Sequence, residues 1–128
     1  MIVAGEQILV VEDNDKNMKL FRDVLHANGY YTLEATTGAR AVELASERLP
    51  DLVLMDIRLP DVDGVEVLGR LRADERTVDI PVLAVTAQAM EGDRERFLAA
   101  GFDGYLAKPV EVRELAAAVK HHCTGRRR

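Results

Sequence analysis

Tryptophan is absent from the 128 residues, and aromatic side chains make up only 5% of them. A stacking platform for sugars or single-stranded nucleic acid needs several exposed rings, so that class of surface is not expected. Cysteine is as scarce. Cys123 is the single one, which forbids an intrachain disulfide and fits a reducing, cytoplasmic setting. No apolar run approaches the roughly 18 residues of a membrane span. The opening Met1-Ile2-Val3-Ala4-Gly5 meets Glu6 at once and lacks a basic flank, so it reads neither as a signal peptide nor as a membrane-inserting segment. Positive charge is in deficit, with 17 lysines and arginines against 22 aspartates and glutamates and a net charge of −5. Direct nucleic-acid binding needs a basic face and is not expected. The exception is Arg126-Arg127-Arg128, within a stretch 124–128 expected to be a flexible basic tail.

What is present is enough for a core. Hydrophobic residues are 48% of the chain, and its length suits one domain, here 1–128 with its core over about 6–123. There is no linker, repeat or low-complexity block. Short β-type runs recur at Ile8–Val11, Tyr31–Ala35, Leu52–Met55, Val82–Val85 and, most weakly, Gly104–Ala107. The first, third and fourth are continuously apolar, as a parallel strand buried on both faces requires. Between them, apolar residues return at helical spacing: Met18, Phe21, Val24 and Leu25; Ala41, Val42, Ala45 and Leu49; Val65, Leu68 and Leu71; Phe97, Leu98 and Ala100; Leu115, Ala118 and Val119. Five strands alternating with five helices predict an α/β domain with helices on both faces of a parallel sheet.

In such a sheet, ligands bind beyond the carboxyl ends of the strands. Glu12 and Asp13 follow the first run, Asp56 the third, Thr86 the fourth, and Lys108 and Pro109 the fifth. Clustered carboxylates repel one another, and a hard divalent cation relieves this; Mg²⁺ suits oxygen ligands and Mn²⁺ is also accepted. Asp56, in the middle, is placed to attack phosphorus as a carboxylate nucleophile. Phosphoryl transfer then asks for charge neutralisation, which the cation, Lys108 and the Thr86 hydroxyl would share. Singly, each residue has a plainer reading as turn former, helix cap or solvated lysine. Four strand ends with complementary groups favour the joint reading.

The segments Ile8-Leu9-Val10-Val11-Glu12-Asp13-Asn14, Leu52 through Gly64, Pro81-Val82-Leu83-Ala84-Val85-Thr86-Ala87 and Gly104-Tyr105-Leu106-Ala107-Lys108-Pro109 resemble, in that order, the receiver domain of two-component response regulators. The resemblance covers roughly Glu6 to Cys123. It implies a flavodoxin-like (βα)5 fold with strand order 2-1-3-4-5, the order the general rule for doubly wound sheets assigns to such proteins. It implies that Asp56 is the phosphoacceptor, that Glu12, Asp13, Asp56 and the Arg58 backbone carbonyl surround the metal, that Thr86 and Lys108 hold the phosphoryl group, and that Thr86 and Tyr105 form a switch. The Lys108–Pro109 bond would be cis. Arg58 and Gln88, each two residues beyond a site residue, flank the route of an attacking water. They are candidate modulators of dephosphorylation, with a solvent-facing arginine as the plain alternative for Arg58.

The resemblance further implies a regulatory phosphoprotein rather than an enzyme with a substrate of its own. Its partners would be a sensor histidine kinase or histidine phosphotransfer protein, and a target reached through the fourth helix, fifth strand and fifth helix. Monomer or weak phosphorylation-linked dimer are both compatible. Rival readings are weaker. Asp61-Val62-Asp63-Gly64-Val65 mimics the signature of haloacid-dehalogenase-type phosphatases, but Pro60 separates it from the strand. A flavodoxin-like cofactor carrier would not place Glu12-Asp13-Asn14-Asp15 at its phosphate loop. Gly64 and Gly69 have P-loop spacing without the Lys-Ser/Thr that follows. His121-His122-Cys123 are neighbours on a helix and point apart. A scaffold without phosphorylation would not need the acidic pocket.

Overall fold

The computed structural model describes residues 5–87 and 92–123. Its elements alternate throughout: β1 (Gln7–Val11), α1 (Asp15–Ala27), β2 (Tyr31–Ala35), α2 (Gly38–Arg48), β3 (Leu52–Asp56), α3 (Gly64–Ala73), β4 (Val82–Thr86), α4 (Asp93–Ala100), β5 (Gly104–Ala107) and α5 (Val112–Cys123). The strands form one parallel sheet of order β2-β1-β3-β4-β5. This is the expected flavodoxin-like arrangement.

The side-chain alternation of a strand sends successive residues to opposite faces, and in β1, β3 and β4 both sets are apolar. Leu9, Val11, Val53, Met55, Val82 and Ala84 pack with α2, α3 and Phe97 of α4 on one face. Ile8, Val10, Leu52, Leu54, Leu83 and Val85 pack with α1 and α5 on the other. Right-handed crossovers explain why the helices divide this way. Three helices start on side-chain caps. Asn14 accepts from the Asn17 amide, Thr37 from the Arg40 amide and Asp63 from the Val65 amide, each satisfying a donor that the first turn leaves free.

Three helical stripes differ from their sequence reading. Leu49 stands outside α2: as the residue before Pro50 it is barred from continuing the helix, takes a left-handed φ of 48° and is 51% exposed. Val65 lies on the outer side of α3. Val67, Leu68 and Leu71 share the face turned inward. In α4, Leu98 and Ala100 are exposed and Phe97 carries the packing. The strands run slightly further than expected, so that Asp56 and Thr86 are the last residues of β3 and β4 rather than the first beyond them.

Gly64 fixes how closely α3 approaches the end of β3. A Cβ there would lie 2.6 Å from the Asp56 carbonyl oxygen and 2.9 Å from the Ile57 Cα, while its amide donates to the Ile57 carbonyl at 2.8 Å. These obstacles are backbone and cannot rotate away. Gly64→Ala is therefore expected to lower stability by about 1–3 kcal/mol, the usual range for overpacking. Urea denaturation checks this, and a variant as stable as the parent would contradict the close approach.

Candidate functional site

The sheet register lines up the strand ends. Val11 pairs with Met55, Asp56 with Val85, and Thr86 with Ala107. The residues that end or follow these strands therefore share one edge. Glu12 is fixed there by its amide, which donates to the Ala35 carbonyl at 3.0 Å, and Lys108 by its amide, which donates to the Thr86 carbonyl at 2.8 Å. The Lys108–Pro109 peptide that follows is cis.

Glu12, Asp56 and Thr86 are buried, at 1%, 5% and 4% exposure, whereas Asp13 faces solvent. Glu12, Asp13 and Asp56 bring one carboxylate oxygen each within 4.8 Å of one another, and no other group of three metal-ligating side chains gathers among the described residues. Lys108 Nζ lies 2.9 Å from Glu12 Oε1 and 3.3 Å from Asp56 Oδ2. Asp56 Oδ1 accepts from the Arg58 amide at 3.2 Å, and Glu12 Oε2 from the Asn14 amide at 3.1 Å. Glu12 Oε1 has the lysine charge beside it but no donor aligned for a hydrogen bond. A buried carboxylate oxygen left in that condition, next to two further carboxylates, suits a hard divalent cation.

Three carboxylates against one ammonium leave the pocket short of positive charge. Burial, and then the neighbouring Glu12 charge, raise the Asp56 pKa to about 6 against the pull of Lys108 and the Arg58 amide. Burial alone would lower the Lys108 pKa, but the close approach of the Glu12 carboxylate and the charges of Asp56 and Glu12 outweigh it, and the ammonium is held more firmly than usual.

Beside this centre, Tyr105 is half-buried on β5 and stacks on Phe97, with ring centroids 5.6 Å apart. Arg58 is exposed, and its backbone pairs with that of Asp63 as an isolated antiparallel β-bridge within the loop after β3. Gln88 lies outside the described residues, as does the arginine tail. His121 and His122 meet edge to face at 4.8 Å but gather no third ligand.

Two features escaped the sequence. Asp61 reaches across to α2, where its carboxylate accepts from the Gly38 amide at 2.8 Å and the Ala39 amide at 3.0 Å. It pins the loop after β3 from outside, over a separation that no local pattern reveals. The pairing of Phe97 with Tyr105 is equally non-local, and two aromatics eight positions apart on a helix and a strand carried no signal of it.

Known proteins share this arrangement. The family described as the response regulator receiver domain matches residues 8–120. The polar-differentiation response regulator DivK of Brucella ovis is 47% identical over 117 residues, covering 91% of this chain and 95% of that protein. A crystal structure of a putative response regulator from Chloroflexus aurantiacus aligns with a TM-score of 0.88 at 32% identity, over 94% of this chain and 98% of that one. The receiver domain of a sensor histidine kinase from Pseudomonas aeruginosa, with a magnesium ion coordinated in its active-site cleft, aligns with a TM-score of 0.86 at 39% identity, over 94% and 98% of the two chains.

The electrostatics of the pocket give a measurable pH dependence. The folded protein holds the Asp56 proton more tightly than the unfolded chain, whose carboxyl ionises near 3.8. Ionisation therefore lowers stability as pH rises from about 4 to about 6; the loss is complete above that window and absent below it. Asp56→Asn removes the charge, and in metal-free buffer at neutral pH should be more stable than the parent by about 1–2 kcal/mol. The gap should close as pH falls toward 4. Urea denaturation across this range tests it, and a gap that stays constant or has the opposite sign would refute the assignment.

Proposed function

We propose a function from the premise that the chain belongs to the response regulator receiver domain family: it is a stand-alone regulator that accepts a phosphoryl group on Asp56 and signals by protein contact. The observation that carries this reading is the pairing of a buried carboxylate at the end of β3 with Lys108 at 3.3 Å and with two further carboxylates. The near-complete coverage of a relative of similar length supports the single-domain form, residues 1–128 acting as one unit.

In the proposed reaction an Asp56 carboxylate oxygen attacks the phosphorus of a phosphohistidine. The new O–P bond forms as the P–N bond breaks with its electron pair going to nitrogen, and the ring leaves as neutral imidazole because its other nitrogen already carries a proton taken from solvent. Asp56 is half of a strained charge balance before the reaction, which favours its use as a nucleophile. Lys108 shifts its partnership from the carboxylate to the incoming phosphoryl oxygens, and the Thr86 hydroxyl donates to another. Glu12, Asp13, Asp56 and the Arg58 carbonyl would hold Mg²⁺, or Mn²⁺ in its place. When bound, the ion neutralises the carboxylates and the phosphoryl oxygens together.

The switch follows from the same contacts. Thr86 moves toward the phosphoryl group, Tyr105 turns into the space released, and the α4–β5–α5 surface changes for a target protein. The donor would be a sensor histidine kinase or a histidine phosphotransfer protein, and the setting cytoplasmic. The protein would work as a monomer or a weak phosphorylation-linked dimer. Arg58, exposed beside the pocket, would shield the acyl phosphate from water, with Gln88 sharing that role. The phosphatase alternative loses its two signature carboxylates to other tasks: Asp61 is bonded to the start of α2, and Asp63 caps α3.

Incubation with Mg²⁺ and acetyl phosphate, followed by intact mass, tests the reading. A single base-labile phosphoryl adduct is expected on the parent and not on Asp56→Asn. After donor removal, Arg58→Ala should lose the adduct several times faster than the parent, on the order of a 1 kcal/mol change in barrier. An adduct on Asp56→Asn would refute the acceptor assignment, and equal decay rates would refute the role of Arg58.

A further inference from the structure

Helix α4 is attached to the molecule by less than its neighbours are. Helix α1 buries Met18, Phe21, Val24 and Leu25, and α3 buries Val67, Leu68 and Leu71. In α4, Phe97 is the one buried apolar side chain, while Leu98 is 39% exposed and Ala99 and Ala100 are exposed. A helix without an apolar stripe takes its placement from whatever its few buried side chains touch.

Phe97 touches aromatic rings. It stacks on Tyr105 with 5.6 Å between centroids and 24° between planes, and meets Phe102 edge to face at 5.8 Å. The two contacts differ in kind. Phe102 follows the helix directly, and its amide donates to the Phe97 carbonyl at 3.2 Å, so it moves with the helix end. Tyr105 belongs to the sheet, paired with Ala84 two residues before Thr86, and Ala107 on the same face of β5 pairs with Thr86 itself.

The carboxyl end of α4 is held separately. Arg72, from α3, donates to the Gly101 carbonyl at 3.2 Å, to the Ile80 carbonyl at 2.7 Å and to Asp103 at 2.9 Å. Asp103 in turn accepts from the Val82 amide at 2.8 Å. This clamp ties the end of α4 to α3 and to the start of β4. That end of the helix is fixed, its first residue Asp93 is buried as well, and its apolar tie to the sheet is the Phe97 ring stacked on Tyr105.

We infer that Phe97 is the positioning residue through which Tyr105 sets the placement of α4. The stack converts a turn of the tyrosine ring into a displacement of the helix about its Arg72-clamped end. This rests on the proposed switch, and it adds the part that links the switch to the surface. An aliphatic side chain would keep most of the apolar contact but would follow a rotating ring poorly, because it lacks the offset-stacking preference of an aromatic pair.

The test uses the full chain with Mg²⁺ and acetyl phosphate. Intact mass reads the adduct on Asp56, and amide chemical shifts read the response of Asp93–Ala100. In the parent and in Phe97→Tyr, phosphorylation should shift the α4 amides. In Phe97→Leu the adduct and the shifts at Thr86 and Lys108 should persist, while the α4 response falls by about threefold or more, the scale expected for loss of one aromatic pair. Phe97→Met provides a second truncation should the leucine variant fold poorly, with the same expectation. An undiminished α4 response in either aliphatic variant overturns the inference, as does loss of the response in Phe97→Tyr. Absence of an adduct on the parent instead overturns the phosphoacceptor reading on which it rests, and the mass measurement separates the two failures.

Discussion

Three carboxylates and one ammonium share an edge where the sheet leaves two of the acids almost no water. The rest of the structure depends on tolerating that imbalance. Lys108 reaches both Glu12 and Asp56 but cannot neutralise them together with Asp13. A pocket of this kind gains whenever positive charge or a proton arrives, which is why Asp56 holds its proton up to about pH 6. The same property suits it to a divalent cation and, in the proposed function, to a phosphoryl group. Binding and chemistry are two ways of relieving one electrostatic debt.

The fold supplies the rigidity that keeps the acids together despite their repulsion. Registered parallel strands set the heights of Glu12, Asp56, Thr86 and Lys108. The loop after β3 is held at three places: the Arg58 amide on Asp56, the Gly64 amide on the Ile57 carbonyl, and Asp61 on the first amides of α2. Each uses a backbone donor that would otherwise lack a partner, so local satisfaction and the placement of the site coincide. On the far side of α4 the structure is secured differently, by the Arg72–Asp103 clamp at one end and the Phe97 ring in the middle. The acidic edge is thus tied down from several elements, while the helix beside it follows few.

Much of this was legible in the sequence because burial on both faces of β1, β3 and β4 leaves a continuous apolar run, and because the residue after such a run has to lie at the sheet edge. That logic located Glu12, Asp56, Thr86 and Lys108, while the strand order came only from the resemblance to receiver domains. It failed where phase or tertiary contact decides. Val65 is apolar and at helical spacing from Leu68, but the packing of α3 turns the face of Val67, Leu68 and Leu71 inward and leaves Val65 38% exposed. Leu49 continued the apolar spacing of α2 until Pro50 ended the helix. Leu98 looked like a core residue in a helix that hardly has a core stripe. The reach of Asp61 to α2 and the stack of Phe97 on Tyr105 join residues that only the fold brings together.

The acidic edge is an incomplete charge arrangement that suits completion by a divalent cation. The most direct measurement is the stability of the protein in urea at pH 7.5 as Mg²⁺ is raised, for the parent and for Asp13→Asn. The solvent-facing Asp13 can be neutralised without disturbing the core. The expected result is a parent whose stability climbs by about 1.4 kcal/mol for each tenfold increase in Mg²⁺ beyond its dissociation constant, with the rise in Asp13→Asn beginning only at much higher concentration. A parent whose stability does not depend on Mg²⁺, or a variant that follows it without displacement, would contradict the account.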